Sequence, residues 1–151
     1  MPDSDDELFG AEHVRVYRET EGERGYHWRG TTILLLTTEG RTSGEPRTTP
    51  LIHRTDGDRW VVVASKGGAD THPGWYLNVL ESNTIGVQIA TQAFEATWRE
   101  PEGEERHQVW AYMAHLYPPY LTYQQSTSRQ IPLLMLTTVR PIDVFSAEGS
   151  H

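Results

Sequence analysis

The 151-residue chain contains no cysteine, and that absence excludes disulfides, thiolate metal sites and cysteine nucleophiles together. It contains one lysine, Lys66, so nearly all fixed positive charge is arginine. No apolar run approaches the length of a membrane span, and Met1 to Gly10 is acidic where a signal peptide would be basic and apolar. Neither the Walker nor the dinucleotide-binding glycine spacing occurs, although there are 13 glycines. His27, His107 and His115 stand in no metal-ligand spacing, so no metal site is expected and all three read as structural or exposed. There is no internal repeat and no low-complexity linker. The expectation is a single cytoplasmic domain with a real core, with peripheral membrane association as an alternative to which the acidic N-terminus lends little support.

Charge is what the chain has in excess, and it is unevenly placed. Against 21 acidic residues stand 13 basic ones, a balance of −8. Between Arg41 and Lys66 the sign reverses: Arg41, Arg47, Arg54, Arg59 and Lys66 outnumber Glu45, Asp56 and Asp58. A positive island on an acidic protein suits a small anionic ligand, because the net field repels nucleic acid and anionic membrane at longer range. Arginines scattered on a solvated strand face are the plainer reading of the same residues.

The island rides on a strand pattern. Ile33 to Leu36 enters a polar turn at Glu39-Gly40, a second strand leaves it, and Trp60 to Ala64 follows Asp56-Gly57-Asp58, which together predict an antiparallel meander. Two alternating runs, Thr84 to Ala90 and Phe94 to Arg99, predict a hairpin, and Ile131 to Thr138 a central strand. Residues 1–30 are expected to be an acidic disordered tail, a short helix through Leu8, Val14 and Tyr17 capped by Asp5 or Asp6, and a loop. Residues 31–140 form the main domain and 141–151 a polar tail. A second helix is expected to end at Asn83, with Asp70 or Thr71 as N-cap and Pro73 in its first turn. A third, after Pro101, carries the stripe Val109, Met113 and Leu116.

Two places carry chemistry. At Ser65-Lys66-Gly67-Gly68 a strand runs into a glycine pair just before the second helix, which gathers backbone N–H groups and the lone lysine where an anion could sit, or is a turn that merely needs glycine. Tyr117, Tyr120 and Tyr123 recur every three residues around Pro118-Pro119, so Tyr120 and Tyr123 would share a helical face; phenols lining an apolar cleft can donate to a carbonyl or nitro oxygen.

Taken in order, Leu36-Thr37-Thr38-Glu39-Gly40-Arg41, Ser43-Gly44-Glu45-Pro46-Arg47, Pro50-Leu51, Ala64-Ser65-Lys66-Gly67-Gly68, Pro73-Gly74-Trp75-Tyr76-Leu77-Asn78, Tyr117-Pro118-Pro119-Tyr120 with Tyr123-Gln124, and Arg129-Gln130-Ile131-Pro132 resemble the deazaflavin-dependent nitroreductase and quinone reductase family. The resemblance implies an α+β, mainly β fold: a flavin-reductase-like split β-barrel of about six antiparallel strands with flanking helices. It implies coenzyme F420 as hydride donor, bound by Arg41, Thr42, Ser43, Arg47, Thr48, Thr49, Pro50, Leu51, Ile52, Val63, Ala64, Ser65, Lys66, Gly74, Trp75, Tyr76, Leu77 and Asn78. Arg41, Ser43 and Arg47 would face the phosphate and oligoglutamate tail, as arginine forks suit a multiply anionic ligand. Thr42 stands where the family commonly has lysine, with Arg54 a candidate to compensate.

The activity implied is hydride transfer to a small-molecule acceptor, a quinone, nitroaromatic or activated alkene, with Tyr117, Tyr120 and Tyr123 bordering the acceptor and Ser65 and Tyr120 as hydrogen-bond or proton donors. The alternatives are a flavin mononucleotide reductase of the same broad fold, a non-catalytic deazaflavin carrier, and an interaction domain whose arginines serve solubility. No nucleic-acid partner is expected, and the protein would be a monomer or homodimer.

Overall fold

A computed structural model describes residues 5–82 and 84–142. Its strands are β1 (His27–Trp28), β2 (Thr31–Glu39), β3 (Pro46–Asp56), β4 (Arg59–Val63), β5 (Ile85–Ile89), β6 (Gln92–Arg99) and β7 (Leu133–Ile142). Helices α1 (Gly10–Thr20), α2 (Gly74–Leu80), α3 (Gly103–Leu116) and α4 (Pro119–Gln125) flank them. The sheet runs β1-β2-β3-β4-β7-β6-β5, all antiparallel, and β5 returns to β2 through Leu35–Gln88, Leu36–Val87 and Thr37–Gly86. Six strands therefore close a barrel, with β1 as a short extra ribbon on β2. This is the expected mainly β barrel with flanking helices.

The uninterrupted apolar runs follow from burial on both faces. Leu34, Leu36, Val62, Leu134 and Leu136 fill the barrel with Val87, Phe94 and Ala96. Their alternating neighbours face outward into two further clusters: Val61, Val63, Leu133 and Met135 pack under α3 and α4 with Val109, Met113 and Tyr120, while Ile33 and Leu35 pack under α1 with Val14 and Tyr17. Side chains of a strand alternate between faces, so a strand buried on both loses the polar alternation. Trp60 stacks on Phe94 at 4.8 Å in the barrel.

The barrel is split along β3. From Pro46 to Ile52 β3 pairs only with β2, Glu39–Pro46 to Ile33–Ile52, because the shorter β4 reaches no farther than His53–Val62. Pro46 and Pro50 suit such a half-open strand, since proline cannot donate to a second ladder. That open edge faces the site described below.

Several sequence expectations require correction. Asp5 and Asp6 do not cap α1 and are not a loose tail: they lie in a 3-10 turn, Asp5 accepts from Arg24 Nη2 (2.8 Å) and Gly25 N (2.9 Å), and Asp6 Oδ1 accepts from Arg29 N (2.7 Å). The N-cap position of α1 is Phe9, without a side-chain bond. Helix α2 starts later than expected, at Gly74 with Pro73 as N-cap, because Pro73 holds φ at −64° and favours extended backbone before it. Asp70 and Thr71 therefore cap nothing; α2 ends at Leu80, and Asn83 lies outside the described residues. Arg140 to Ile142 belong to β7, paired with Glu95, Phe94 and Ala93, so the strand runs two residues into the expected tail; residues 143–151 lie outside the described residues, as does the expected disorder of Met1 to Ser4. No helix among the described residues is long and apolar enough to cross a membrane.

Candidate active site

Two cavities adjoin at the split. The smaller, about 270 Å³, lies between the β2–β3 turn and α2 and is lined by Gly40, Arg41, Thr42, Ser43, Arg47, Thr49, Gly74, Trp75 and Asn78. Its turn is self-closed by Gly40 N to Glu45 O and Gly44 N to Gly40 O, both 2.8 Å. Asn78 is buried and joins three pieces of chain: its Nδ2 donates to Thr38 Oγ1 on β2 (3.2 Å), and its Oδ1 accepts from Arg41 N (3.1 Å) and Arg41 Nη1 (2.8 Å). Arg41 Nη1 also reaches Gly74 O (3.3 Å), and Arg47 Nη2 lies 3.4 Å from Ser43 Oγ. Neither arginine meets a carboxylate among the described residues, so both charges are held in place by neutral partners. A Cβ at Gly74 would meet no atom within 4 Å and would only take up cavity space. Cationic forks around an open glycine cradle fit an anionic phosphodiester.

The larger cavity, about 480 Å³, is mostly apolar and shares Thr49 and Trp75 with the first. Pro50, Leu51, Ile52, Val63, Ser65, Lys66 and Gly67 form its floor, and Tyr117, Tyr120 and Tyr123 its wall. The tyrosine rings meet edge to face, Tyr117–Tyr120 at 5.1 Å and Tyr120–Tyr123 at 6.1 Å. Burial, reinforced by the neighbouring phenols Tyr117 and Tyr123, pushes the Tyr120 hydroxyl far above its ordinary value, so it stays a neutral donor. Burial and then Tyr117 likewise raise Tyr123.

Floor and wall are tied together. Lys66, Gly67 and Gly68 turn through positive φ (47°, 61° and 86°), and a Cβ on Gly68 would lie 2.9 Å from both Tyr123 Cα and Tyr123 O. Glycine is therefore required for the loop to approach α4. Arg129 clamps the same loop by donating to Ala69 O (2.7 Å), Ser65 O (2.8 Å) and Ala64 O (3.4 Å), and it lies 3.0 Å from His72 Nδ1. His72 is lowered by burial and then by the Arg129 charge.

Most residues expected at the site line one cavity or both, but four do not. Thr48 points to the other side of β3, where its Oγ1 meets Thr37 Oγ1 (2.9 Å) and accepts from Arg18 Nη2 (2.8 Å). Ala64 and Leu77 pack on the barrel core. Tyr76 donates to Glu100 (2.6 Å). The positive island is also divided: Arg54 reaches Tyr112 (3.3 Å) and Arg59 lies 3.9 Å from Glu105, so Arg54 cannot stand in for the lysine that Thr42 replaces. The lysine at the glycine pair faces the larger cavity and donates to Thr71 Oγ1 (3.1 Å), not to a helix terminus. Sequence reasoning missed the outer wall of that cavity, Phe9, Gly10, His13, Trp28, Arg29 and Ile33.

The chain has recognisable relatives. A profile of the F420H(2)-dependent quinone reductase family matches residues 10–138. An F420H(2)-dependent quinone reductase of Mycobacterium tuberculosis (strain H37Rv) is 35% identical over 129 residues, covering 83% of this chain and 87% of the relative. Among solved structures, an F420-H2 dependent reductase superposes with a TM-score of 0.64 at 41% identity, covering 72% of this chain and 94% of the other. A second, described as a domain-swapped dimer, gives 0.66 at 38% identity over 82% and 92% of the respective chains. HutZ of Vibrio cholerae, at 14% identity and a TM-score of 0.56, covering 88% of this chain and 92% of that one, shares the fold alone. The chain thus belongs to the F420H(2)-dependent quinone reductase family, oxidoreductases that take their hydride from reduced F420.

Proposed function

We propose that this protein reduces quinones with reduced F420, holding the coenzyme's phosphate and tail in the arginine cleft and the acceptor against the tyrosine wall. The observation that carries this reading is the pair of adjoining cavities, one with two arginines that meet no carboxylate among the described residues, the other aromatic, sharing Thr49 and Trp75. When bound, the coenzyme supplies a hydride, which is two electrons and one proton.

Reduction of a quinone to a hydroquinone then needs one further proton. The residues of this chain provide for the negative charge that builds on the acceptor oxygen. Tyr120, kept neutral by burial, donates a hydrogen bond at all physiological pH, and Ser65 on the floor of the same cavity is the second candidate donor. The surrounding apolar wall limits water and strengthens those bonds. Arg41, Arg47 and Lys66 hold the anionic end of the coenzyme, and Asn78 fixes Arg41 for that purpose. Nitro and activated-alkene acceptors, which develop the same kind of charge, fall within the range of this donor set.

Equilibrium titration of the protein with oxidised F420, beside flavin mononucleotide as control, tests the reading. Saturable F420 binding that the Arg41→Ala variant loses is the expected result. Binding of flavin mononucleotide alone would overturn the coenzyme assignment. F420 binding with no protein-dependent reduction of any quinone would make the protein a carrier.

A further inference from the structure

Strands β1 and β2 are joined by a two-residue turn, Arg29-Gly30, with Trp28 opposite Thr31. Both turn residues have positive φ, 50° and 78°, the signature of a type I′ hairpin. The first position of such a turn belongs to asparagine, aspartate or glycine, because a Cβ there costs about 1 to 2 kcal/mol, which glycine escapes and the short polar side chains offset by local hydrogen bonds. An arginine is held in it by specific contacts. Asp6 Oδ1 accepts from the Arg29 backbone N–H (2.7 Å), Arg29 Nε donates to Asp6 O (3.0 Å), and the guanidinium carbon lies 4.2 Å from the Trp28 ring centroid. These contacts aim the side chain without using its terminal Nη groups, which have no hydrogen-bond partner among the described residues.

The side chain so aimed lines the tyrosine cavity. Although the chain carries a net charge of −8, no carboxylate among the described residues lines this cavity, and the fixed cations among them that do are Arg29 and Lys66. Lys66 is on the floor beside the cleft, whereas Arg29 is at the outer wall. Its charge extends to the tyrosines: burial and then Tyr117 raise the Tyr123 phenol, and Arg29 acts on it in the opposite direction. Strain accepted at a position facing a ligand cavity points to a function for the residue that bears it.

We propose that Arg29 is a specificity-determining residue, a subsite for an anionic substituent on the acceptor, so that the protein prefers quinoid rings bearing an ionised oxygen or carboxylate over neutral ones. This rests on the larger cavity being the acceptor site. The phenols address the carbonyl under reduction, and Arg29 addresses a charged group at the cavity mouth.

The test is calorimetric titration of the protein, saturated with oxidised F420, with 2-hydroxy-1,4-naphthoquinone, which is ionised at neutral pH, and with neutral 1,4-naphthoquinone. Wild type is expected to bind the anionic ring about fivefold more tightly, the upper end of what a partly exposed charge pair contributes. Arg29→Gln is expected to bind both rings alike, with unchanged affinity for the neutral one. Arg29→Asn, which suits the turn better, is expected to show the same levelling with a melting temperature no lower than wild type, which separates loss of charge from loss of fold. A wild type without preference, or an Arg29→Asn variant that retains it, would overturn the inference while leaving the acceptor site intact. Failure of both quinones to bind wild type would overturn the acceptor reading and this inference together.

Discussion

The cleft and the tyrosine cavity share Thr49 and Trp75 but are assembled by opposite strategies. The cleft comes from one turn, 40–47, set against the start of α2, and its polar groups are locked by short bonds through the buried Asn78. The cavity is collected from six separated parts of the chain, between Phe9 and Tyr123, and is held by packing and by the loop clamped under Arg129. The lesson is a division of labour. A locally built, hydrogen-bonded cleft can hold a constant ligand, while a cavity whose walls come from distant segments can change its acceptor range through one wall without disturbing the other.

The sharpest way to break that comparison is to remove the cleft's central charge. Arg41→Ala is expected to weaken F420 binding about 100-fold, consistent with losing charge-assisted bonds worth 1.5–3 kcal/mol, with little change in melting temperature. Fluorescence titration and a thermal melt read the two quantities. If affinity and melting temperature fell together, the cleft would be a structural feature first.

Gly68→Ala attacks the joint between floor and wall. Strain at φ 86° and the 2.9 Å clash with Tyr123 are expected to cost about 2–3 kcal/mol. The quinone KM should rise through displacement of Tyr123, while F420 affinity in the folded protein stays the same; an unchanged KM would show that loop and wall are independent.

A pH titration of stability sharpens the comparison from outside both cavities. His53 is buried on β3, its Nδ1 has no hydrogen-bond partner among the described residues, and burial pushes it down to about 4. The unfolded chain therefore binds the extra proton first, so this contribution is complete above pH 6.5 and is lost as pH falls from 6.5 towards 4, by about 2 kcal/mol. Denaturant midpoints across that window should follow this slope, and a His53→Leu variant should flatten it. A wild type equally stable at pH 4.5 and 7 would contradict the assignment.

The smallest effect is expected within the cavity wall. Tyr120→Phe removes one donor from a set and should lower kcat/KM for a quinone about tenfold with F420 affinity unchanged. An effect on coenzyme binding instead would move Tyr120 to the other side of the comparison.

The same division explains what the sequence made legible. Arg41 and Arg47 fall within one turn, and Tyr120 and Tyr123 within one helix with Tyr117 just before it, so charge and local spacing exposed both, and the family resemblance added Ser43. The outer wall was hidden because Trp28-Arg29-Gly30 lacks the asparagine or aspartate that announces a type I′ hairpin, and because Asp5 and Asp6 act on residues about twenty positions away. The strands were readable from their apolar runs, whereas their closure into a barrel came from the family resemblance. The end of β7 was not readable, since the exposed run from Thr137 to Arg140 breaks the apolar pattern, so the strand was expected to stop at Thr138 although Arg140, Pro141 and Ile142 still pair with β6. The start of α2 was misplaced because Asp70 and Thr71 look like caps, whereas Pro73 sets the boundary.

The most direct test of the central claim is anaerobic turnover: reduced F420 mixed with menadione, with and without the protein, followed by the absorbance of the oxidised coenzyme. The account predicts protein-dependent oxidation that saturates in both reactants and is largely lost at the same concentrations in Arg41→Ala. Oxidation no faster than the protein-free control, with F420 bound and the protein folded, would contradict it.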